Sequence, residues 1–510
     1  MPRQVNTAGT GRQRFLFVRP PRPVWPFNGP STRFWPPLAF ASLAAALRQS
    51  ARDLDVEILD APILEMGWRS LTDELRRRRP EFVAIGEEAV SCVEGLRLAR
   101  LARDCGARVI AGGCFFGHVA GEVLNTGLVD VVVHGEGEET IVELLGALRS
   151  GNGDDLRRVA GISFRSGAER VFTGPRPLIP DLDSLPLPAY DLLPTERYGR
   201  HSRNHPRFAA IELGRGCVDA CDFCVLWRQM GQFAGARLQP RLRVKSPERL
   251  LEEIRILRRR YDRQYLGWVD PCFNADPEVP GQLAELLLRH ELAMGQSAWV
   301  RADCLLRDHR SGALAHCVRA GLNELYIGAE RLDAPSLAAL GKRGEIDDSR
   351  QAFRLLADRY PQVFSVGSFI YGLAGDTPAS IRQMYDLSLR MPMDKAFFIP
   401  LTPLPGTPYW RPDLWDRRGE AFRRFDFLPH AGWNGEGRLD RALARHMIVH
   451  WPPARIRGYL RGLLRGGRRR RSLTWRLAIR SAGFTLRVAL PSLLGRRQVG
   501  GMLFPKWYER

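Results

Sequence analysis

The chain lacks any run of about 18 apolar residues, the length a membrane-spanning helix needs. Its polar start, MPRQVNTAGTGRQRFLFV, is followed by no long apolar stretch, so no secretory signal is read there. Cysteine is scarce: nine in 510 residues, an odd number. That usage fits a chain kept reduced in the cytoplasm better than a disulfide framework. Acid is nearly missing from the last stretch. Arg438 to Arg510 holds 17 Arg and one Lys against Asp440 and Glu509, a net +16, which leaves only +4 of the chain's +20 for everything before it. Any anionic partner therefore concerns the tail first. A hydrophobic share of 45% and a charged share of 26% suit globular domains, and the length suggests more than one.

What is present is a βα rhythm. Over residues 15–150, strand-like runs (FLFV, VEILD, FVAIG, RVIAGG, VDVVVHG) alternate with helical patterns. This predicts a doubly wound, flavodoxin-like parallel sheet over 1–150. Gly112 and Gly113, then Gly135, Glu136 and Gly137, follow strands at the carboxyl edge where such sheets bind ligands. Each cluster also serves as an ordinary tight turn. Residues 151–204 read as a small hairpin (161–174) and a proline-rich linker, PRPLIPDLDSLPLPAYDLLP. A second series begins near 205 and runs to about 410. Strands are expected at FAAIEL, YLGWV, SAWV, ELYIG, FSVGSFIYG and KAFFIP, with helices at 247–260, 279–291, 308–320, 347–359 and 379–390. About six such units predict a partial (β/α)6 barrel, with chemistry at the carboxyl ends of its strands. Residues 411–510 form a basic, mostly helical extension.

Directly after the first barrel strand comes GCVDACDFC, with Cys217, Cys221 and Cys224 in eight positions. Soft thiolates at this spacing favour zinc or an iron–sulfur cluster. Structural zinc needs a fourth ligand, for which His201 and His205 lie upstream. A disulfide plus a free thiol is a further alternative. A [4Fe–4S] cluster can be held by three cysteines with one iron left open. Gly214 and Gly216 would let backbone approach the cluster closely.

On this loop and this barrel, residues 205–410 resemble the radical S-adenosylmethionine enzymes. The resemblance implies a cluster whose open iron binds the amino and carboxylate groups of S-adenosylmethionine, and whose reduction releases a 5′-deoxyadenosyl radical. It places Phe223 near the adenine, Asp270 at the methionyl amine and Arg301 at the methionyl carboxylate. Glu330, ending GLNELYIGAE, becomes a ribose or amine contact. FIYGLAGDTPASI, with Gly372 and Gly375, resembles the family's fifth-strand glycine motif, with Ala374 and Asp376 where Pro and Glu are usual. Asp270 also reads as a turn cap and Arg301 as a surface ion pair.

The preceding domain makes the chain similar to the branch of that family carrying a cobalamin-binding domain. The Gly112–Gly113 and Gly135–Gly137 turns would pack against cobalamin. The Asp-x-His-x-x-Gly motif that ligates cobalt from below is absent. The resemblance then implies cobalt without a His from that motif, its face covered by Trp25, Phe27 or Trp35. Cys92, Cys105 and Cys114 precede the barrel as in the methylthiotransferases, but their close spacing and the tail set that reading aside. Three functions are weighed. The first is methylation of an unactivated carbon in a small-molecule or lipid-like substrate. The second is ring formation of the anaerobic magnesium-protoporphyrin cyclase type. The third is a membrane-associated binding protein with an inactive barrel. An electron donor for the cluster is implied by the first two. The helical pattern RIRGYLRGLLR, with the run of Arg after it, fits packing on the barrel or peripheral contact of 438–510 with the inner face of an anionic membrane, and nucleic acid less well.

Overall fold

The computed structural model describes residues 12–22, 35–202, 204–416, 446 and 507–510. Trp25, Phe27 and nearly all of the basic tail lie outside them. In the N-terminal domain β1 (Gln13–Arg19), β2 (Leu54–Asp60), β3 (Phe82–Ile85), β4 (Arg108–Ala111) and β5 (Val131–Val133) are parallel, in the order 2-1-3-4-5. That is the flavodoxin-like order expected from the rhythm. Side-chain alternation splits the strands between two cores. Phe15, Phe17, Ile110, Val131 and Val133 pack under helices Leu38–Ser50 and Glu138–Ser150. Leu16, Val18, Val83, Val109 and Val132 pack under Trp68–Arg78, Cys92–Asp104 and Ala120–Asn125.

The hairpin read with the linker belongs to this sheet. β6 (Ile162–Ser166) pairs antiparallel with β5, and β7 (Glu169–Phe172) closes the edge, so the sheet has seven strands. The reason is visible in β6, whose Ile162 and Phe164 enter the same core as β5. The proline-rich linker is tied down on both sides. Tyr198 donates to Asp60 of β2 at 2.7 Å, Tyr190 donates to Glu253 of the second domain at 2.5 Å, and the Asp183 carboxylate accepts from Ser246 N.

The second domain opens on β8 (Phe208–Ile211). Four short strands follow it: β9 (Gly214–Arg215), the hairpin β10 (Gln232–Ala234) and β11 (Arg237–Gln239), and β12 (Arg243–Val244), which pairs with β9. Then β13 (Tyr265–Trp268), β14 (Gly295–Val300), β15 (Leu322–Glu330), β16 (Phe364–Tyr371) and β17 (Lys395–Pro400) run parallel to β8 in chain order. β8 and β17 are the two ends of the sheet, so it is an open part-barrel of six strands. The helix expected over 308–320 is instead two, Ala302–Ser311 and Ala313–Arg319, broken at Gly312, whose φ of +85° no helix accommodates. Residues 507–510 return to the N-terminal domain, where Trp68 N donates to Tyr508 O at 2.9 Å.

Candidate active site

The cysteine loop leaves β8 along backbone pinned from the next strand. Asp270, just past β13, accepts from Leu213 N at 3.0 Å and Gly214 N at 2.6 Å. Each carboxylate oxygen thereby holds one backbone N–H, which gives Asp270 a positioning role at the start of the loop. Burial pushes its carboxyl up to about 7, against the pull of the two N–H groups. Gly214 and Gly216 serve a nearer neighbour than a cluster. A Cβ on Gly214 would stand 2.5 Å from Arg243 O, and one on Gly216, at φ +91°, would overlap Arg241 O. The two glycines therefore let β9 lie against the segment entering β12.

Within the loop, Asp219 is the anchor. Its buried carboxylate accepts from Arg301 Nη1, from Arg343 Nε at 3.0 Å and from Arg343 N at 3.1 Å. Burial pushes this carboxyl up, but the two guanidinium groups outweigh burial and hold it below its ordinary range. Arg301 also forks onto Asp303, at 3.0 and 2.9 Å. Its donors are thus committed to the loop and to Asp303, where a methionyl carboxylate was expected. Asp222 N donates to Leu340 O at 2.9 Å, and Trp227 Nε1 to Cys221 O at 2.8 Å. The loop is thereby fixed to the segment after β15.

Glu330 ends β15 at a register shift, with φ +59°, a left-handed conformation costly for a residue with a Cβ. It meets Lys342 Nζ at 3.1 Å, and that ammonium also donates to Gly328 O at 2.6 Å. Both charges act on Cys221, the ammonium favouring its thiolate and Glu330 opposing it. Arg331, next in sequence, is buried on Asp376 at 3.0 and 2.7 Å. Asp376 in turn accepts from Gly372 N at 2.7 Å and Leu373 N at 3.0 Å. Gly372 and Gly375, at φ +92° and +89°, make the turn that brings this carboxylate back. Asp219, Lys342, Arg331 and Arg343 escaped the sequence reading. A charged residue beside Cys217 in the loop was the only local signal for any of them.

Burial raises the thiols of Cys221 and Cys224, and the neighbouring thiols add to it. Such groups surrender their protons when a metal takes their place. Among the described residues no three His, Cys, Asp or Glu side chains close around a single ion. The zinc alternative loses His205 as well, which pairs with Glu324 at 2.8 Å inside the barrel. Three thiols on one fixed loop are a donor set that suits a cluster with an open iron. Phe223 beside them is half-buried.

A cavity of about 540 Å³ lies between the domains. Its N-terminal wall is the carboxyl edge of the sheet: Phe17, Gly112, Gly113, Gly135 and Gly137, with Phe40 and Trp35. Its barrel wall is Glu212, Arg215, Met230 and Val269. The glycine edge fits a flat, bulky cofactor, since a Cβ at Gly135 would meet no atom within 4 Å and project into open space. Glu136, expected at the cofactor, lines this cavity and also reaches the barrel. It accepts from Arg215 at 2.8 Å, Arg243 at 2.7 Å and Ile179 N at 2.8 Å. Glu138 holds the other Arg215 nitrogen at 2.6 Å, and Glu212 its Nε at 3.0 Å. Cys114 lines the cavity within electrostatic reach of Cys224, and its thiol is pushed up to about 12, chiefly by burial. Gln229 and Met230, which also line the cavity, end the helix Val225–Gln229 that starts directly after Cys224.

Known proteins match both halves. Residues 211–388 match the radical SAM superfamily and residues 27–145 the B12 binding domain. An uncharacterized methyltransferase of Pyrococcus horikoshii is 26% identical over 378 residues, 74% of this chain and 78% of its own. The anaerobic magnesium-protoporphyrin IX monomethyl ester cyclase of Cereibacter sphaeroides is 27% identical over 387 residues, 74% of this chain and 60% of its own. Among solved structures, the radical S-adenosylmethionine methyltransferase TsrM of Kitasatospora setae, with tryptophan substrate and aza-SAM bound, shares the fold. It is 18% identical with a TM-score of 0.60, over 78% of this chain and 75% of that one.

Proposed function

Because the chain belongs to the radical S-adenosylmethionine enzymes that carry a cobalamin-binding domain, we propose that it methylates an unactivated carbon of a small-molecule or lipid-like substrate. The observation that carries this is the junction: the glycine-edged cavity is walled on the barrel side by Gln229 and Met230, at the end of the helix Val225–Gln229 that follows directly on Cys224. When bound, the cluster supplies the electron that cleaves S-adenosylmethionine, and cobalamin supplies the methyl group.

The chain's own residues orient and shield. Cys217, Cys221 and Cys224 hold the cluster, and Asp270, Asp219 and Arg301 fix their loop. Glu330 and Lys342 form a charged pair beside Cys221 that can meet the polar end of S-adenosylmethionine. Gly135, where a Cβ would project into open space, leaves room for the corrin, and Gly112, Gly113 and Gly137 line the same cavity. On the face of the barrel sheet that carries Arg301, Trp299 stacks on Tyr326 at 4.8 Å and is 38% exposed. A partly exposed aromatic pair on that face suits an apolar or ring-bearing substrate.

The test is anaerobic reconstitution with iron, sulfide and cobalamin, followed by reductant, S-adenosylmethionine and candidate substrates. Release of both deoxyadenosine and S-adenosylhomocysteine, with a methylated product, supports the proposal. Deoxyadenosine with a cyclised product and no S-adenosylhomocysteine overturns it in favour of ring formation. No deoxyadenosine, or the same amount from Cys221→Ala, overturns the radical reading itself.

A further inference from the structure

A second cavity, of about 710 Å³, shares Gly113, Gly135 and Glu136 with the first but opens on its other side. Its walls are the linker after β7 and the β10–β11 hairpin of the barrel. It concentrates buried side-chain nitrogens without a hydrogen-bond partner among the described residues. Arg243 is only 7% exposed, yet its Nε and Nη2 have no hydrogen-bond partner among the described residues. The Nε atoms of Arg176 and Arg228 and Nε2 of His118 are likewise buried without one, and all four residues line the cavity.

The acids nearby are already engaged. Glu136 takes Arg215, Arg243 and Ile179 N; Glu139 and Glu143 take the outer nitrogens of Arg176; Asp222 takes one nitrogen of Arg228. Arg241 stands exposed on the wall with no ion pair among the described residues. A desolvated guanidinium N–H is costly to leave unmade, and several in one cavity call for an acceptor with many lone pairs. The rim supplies the other half of the recognition. Phe172 and Phe233, one from each hairpin, are each 56% exposed, the most exposed large apolar side chains of the described residues.

We propose that this cavity binds an oxyanion, phosphate or carboxylate, carried on an apolar or ring-bearing body that rests on Phe172 and Phe233. The oxyanion has two chemical sources: the phosphate in the nucleotide loop of cobalamin, or an acidic group of the substrate. The second source rests on the function proposed above; the site itself does not.

The experiment titrates the full chain, free of cofactors, with inorganic pyrophosphate at low ionic strength and reads binding by calorimetry. Saturable binding is expected, weakened at least tenfold in Arg243→Gln. That variant also cuts the ion pair to Glu136, so two exposed positions guard against misfolding. Arg241→Glu and Phe233→Glu put a negative charge at the mouth and are each expected to weaken binding to a similar degree while leaving the thermal midpoint unchanged. No saturable binding to the wild type, or binding undiminished in the variants, overturns the proposal. Repeating the titration after loading identifies the source. Loss of the pyrophosphate site with cobalamin, but not with cobinamide, which lacks the nucleotide loop, assigns it to the cofactor. Persistence with cobalamin bound assigns it to the substrate. Neither readout uses the cluster or deoxyadenosine, so failure here and failure of the radical chemistry are separate results.

Discussion

Asp270 spends both oxygens on the backbone where β8 leads into the cysteine loop. Alanine there would leave both backbone N–H groups without their acceptor. Asp270→Ala is expected to cost about 1–3 kcal/mol, read from urea unfolding. Its pH dependence follows from a folded-state carboxyl raised to about 7. The protonated form is the one the fold favours, so this contribution is full below the ordinary carboxyl range, near pH 4, and fades as pH rises through the raised value. The stability difference between wild type and Asp270→Ala should therefore shrink across that interval and stay flat above it. Arg301 is a separate case. Removing it leaves Asp219 buried with Arg343 as its remaining guanidinium partner. Arg301→Ala is expected to bind less than half the wild-type iron after reconstitution while keeping its far-ultraviolet circular dichroism. Equal iron content would show that the loop stands without this anchor.

At the scale of elements, the turn between β5 and helix Glu138–Ser150 is what couples the domains. Glu136 and Glu138 reach from it to Arg215 on β9, and Glu136 also to Arg243 on β12. These charges are almost fully buried, and removing one partner strands the others. Glu136→Gln is expected to cost about 3–5 kcal/mol, to weaken cobalamin retention and to expose the 175–194 linker to protease. Unchanged cleavage would place the coupling elsewhere. The strands of both sheets were legible because an apolar period of two, punctuated by glycine and proline, is a local property. So was the position of the cysteine loop, which depends only on following the first barrel strand. The hairpin 161–174 was also legible, but its allegiance was not, since which sheet edge it joins depends on Phe164 finding the β5 core. The helix break at Gly312 was missed because a lone glycine in an amphipathic pattern signals a stop only weakly. Least legible were the ion pairs. Asp219 with Arg301 and Arg343, Glu136 with Arg243, and Arg331 with Asp376 join residues 45 to 124 apart, and no local pattern records such a partnership. Asp270, Arg301 and Glu136 were found as residues, but their protein partners were not, for the same reason.

At the scale of the whole molecule, the last four residues close the chain back onto its first domain. Tyr508 packs edge-on against Trp68 at 6.2 Å and donates to Glu94 at 3.1 Å. Trp68 N and Ser70 N donate to Tyr508 O and Arg510 O. Gly67 permits the approach, since a Cβ there would overlap Trp507 O. Arg97 meets Glu509 at 3.0 and 3.1 Å, but both side chains are largely exposed. Buried aromatic area and a screened surface pair contribute on different scales, which sets the expected ranking. Tyr508→Ala should cost about 3–5 kcal/mol if the site cannot collapse, and Glu509→Gln about 1 kcal/mol or less. Gly67→Ala should behave like Tyr508→Ala, because it pushes off the same segment by a collision rather than by losing a ring. Hydrogen exchange separates this from a general loss of stability. Amides of Trp68 and Ser70 should exchange faster in Tyr508→Ala and Gly67→Ala, while the strands of the barrel keep their protection. If all amides accelerate together, the C-terminal residues are part of one cooperative unit. If none does, the anchor holds nothing that the N-terminal domain does not already hold by itself.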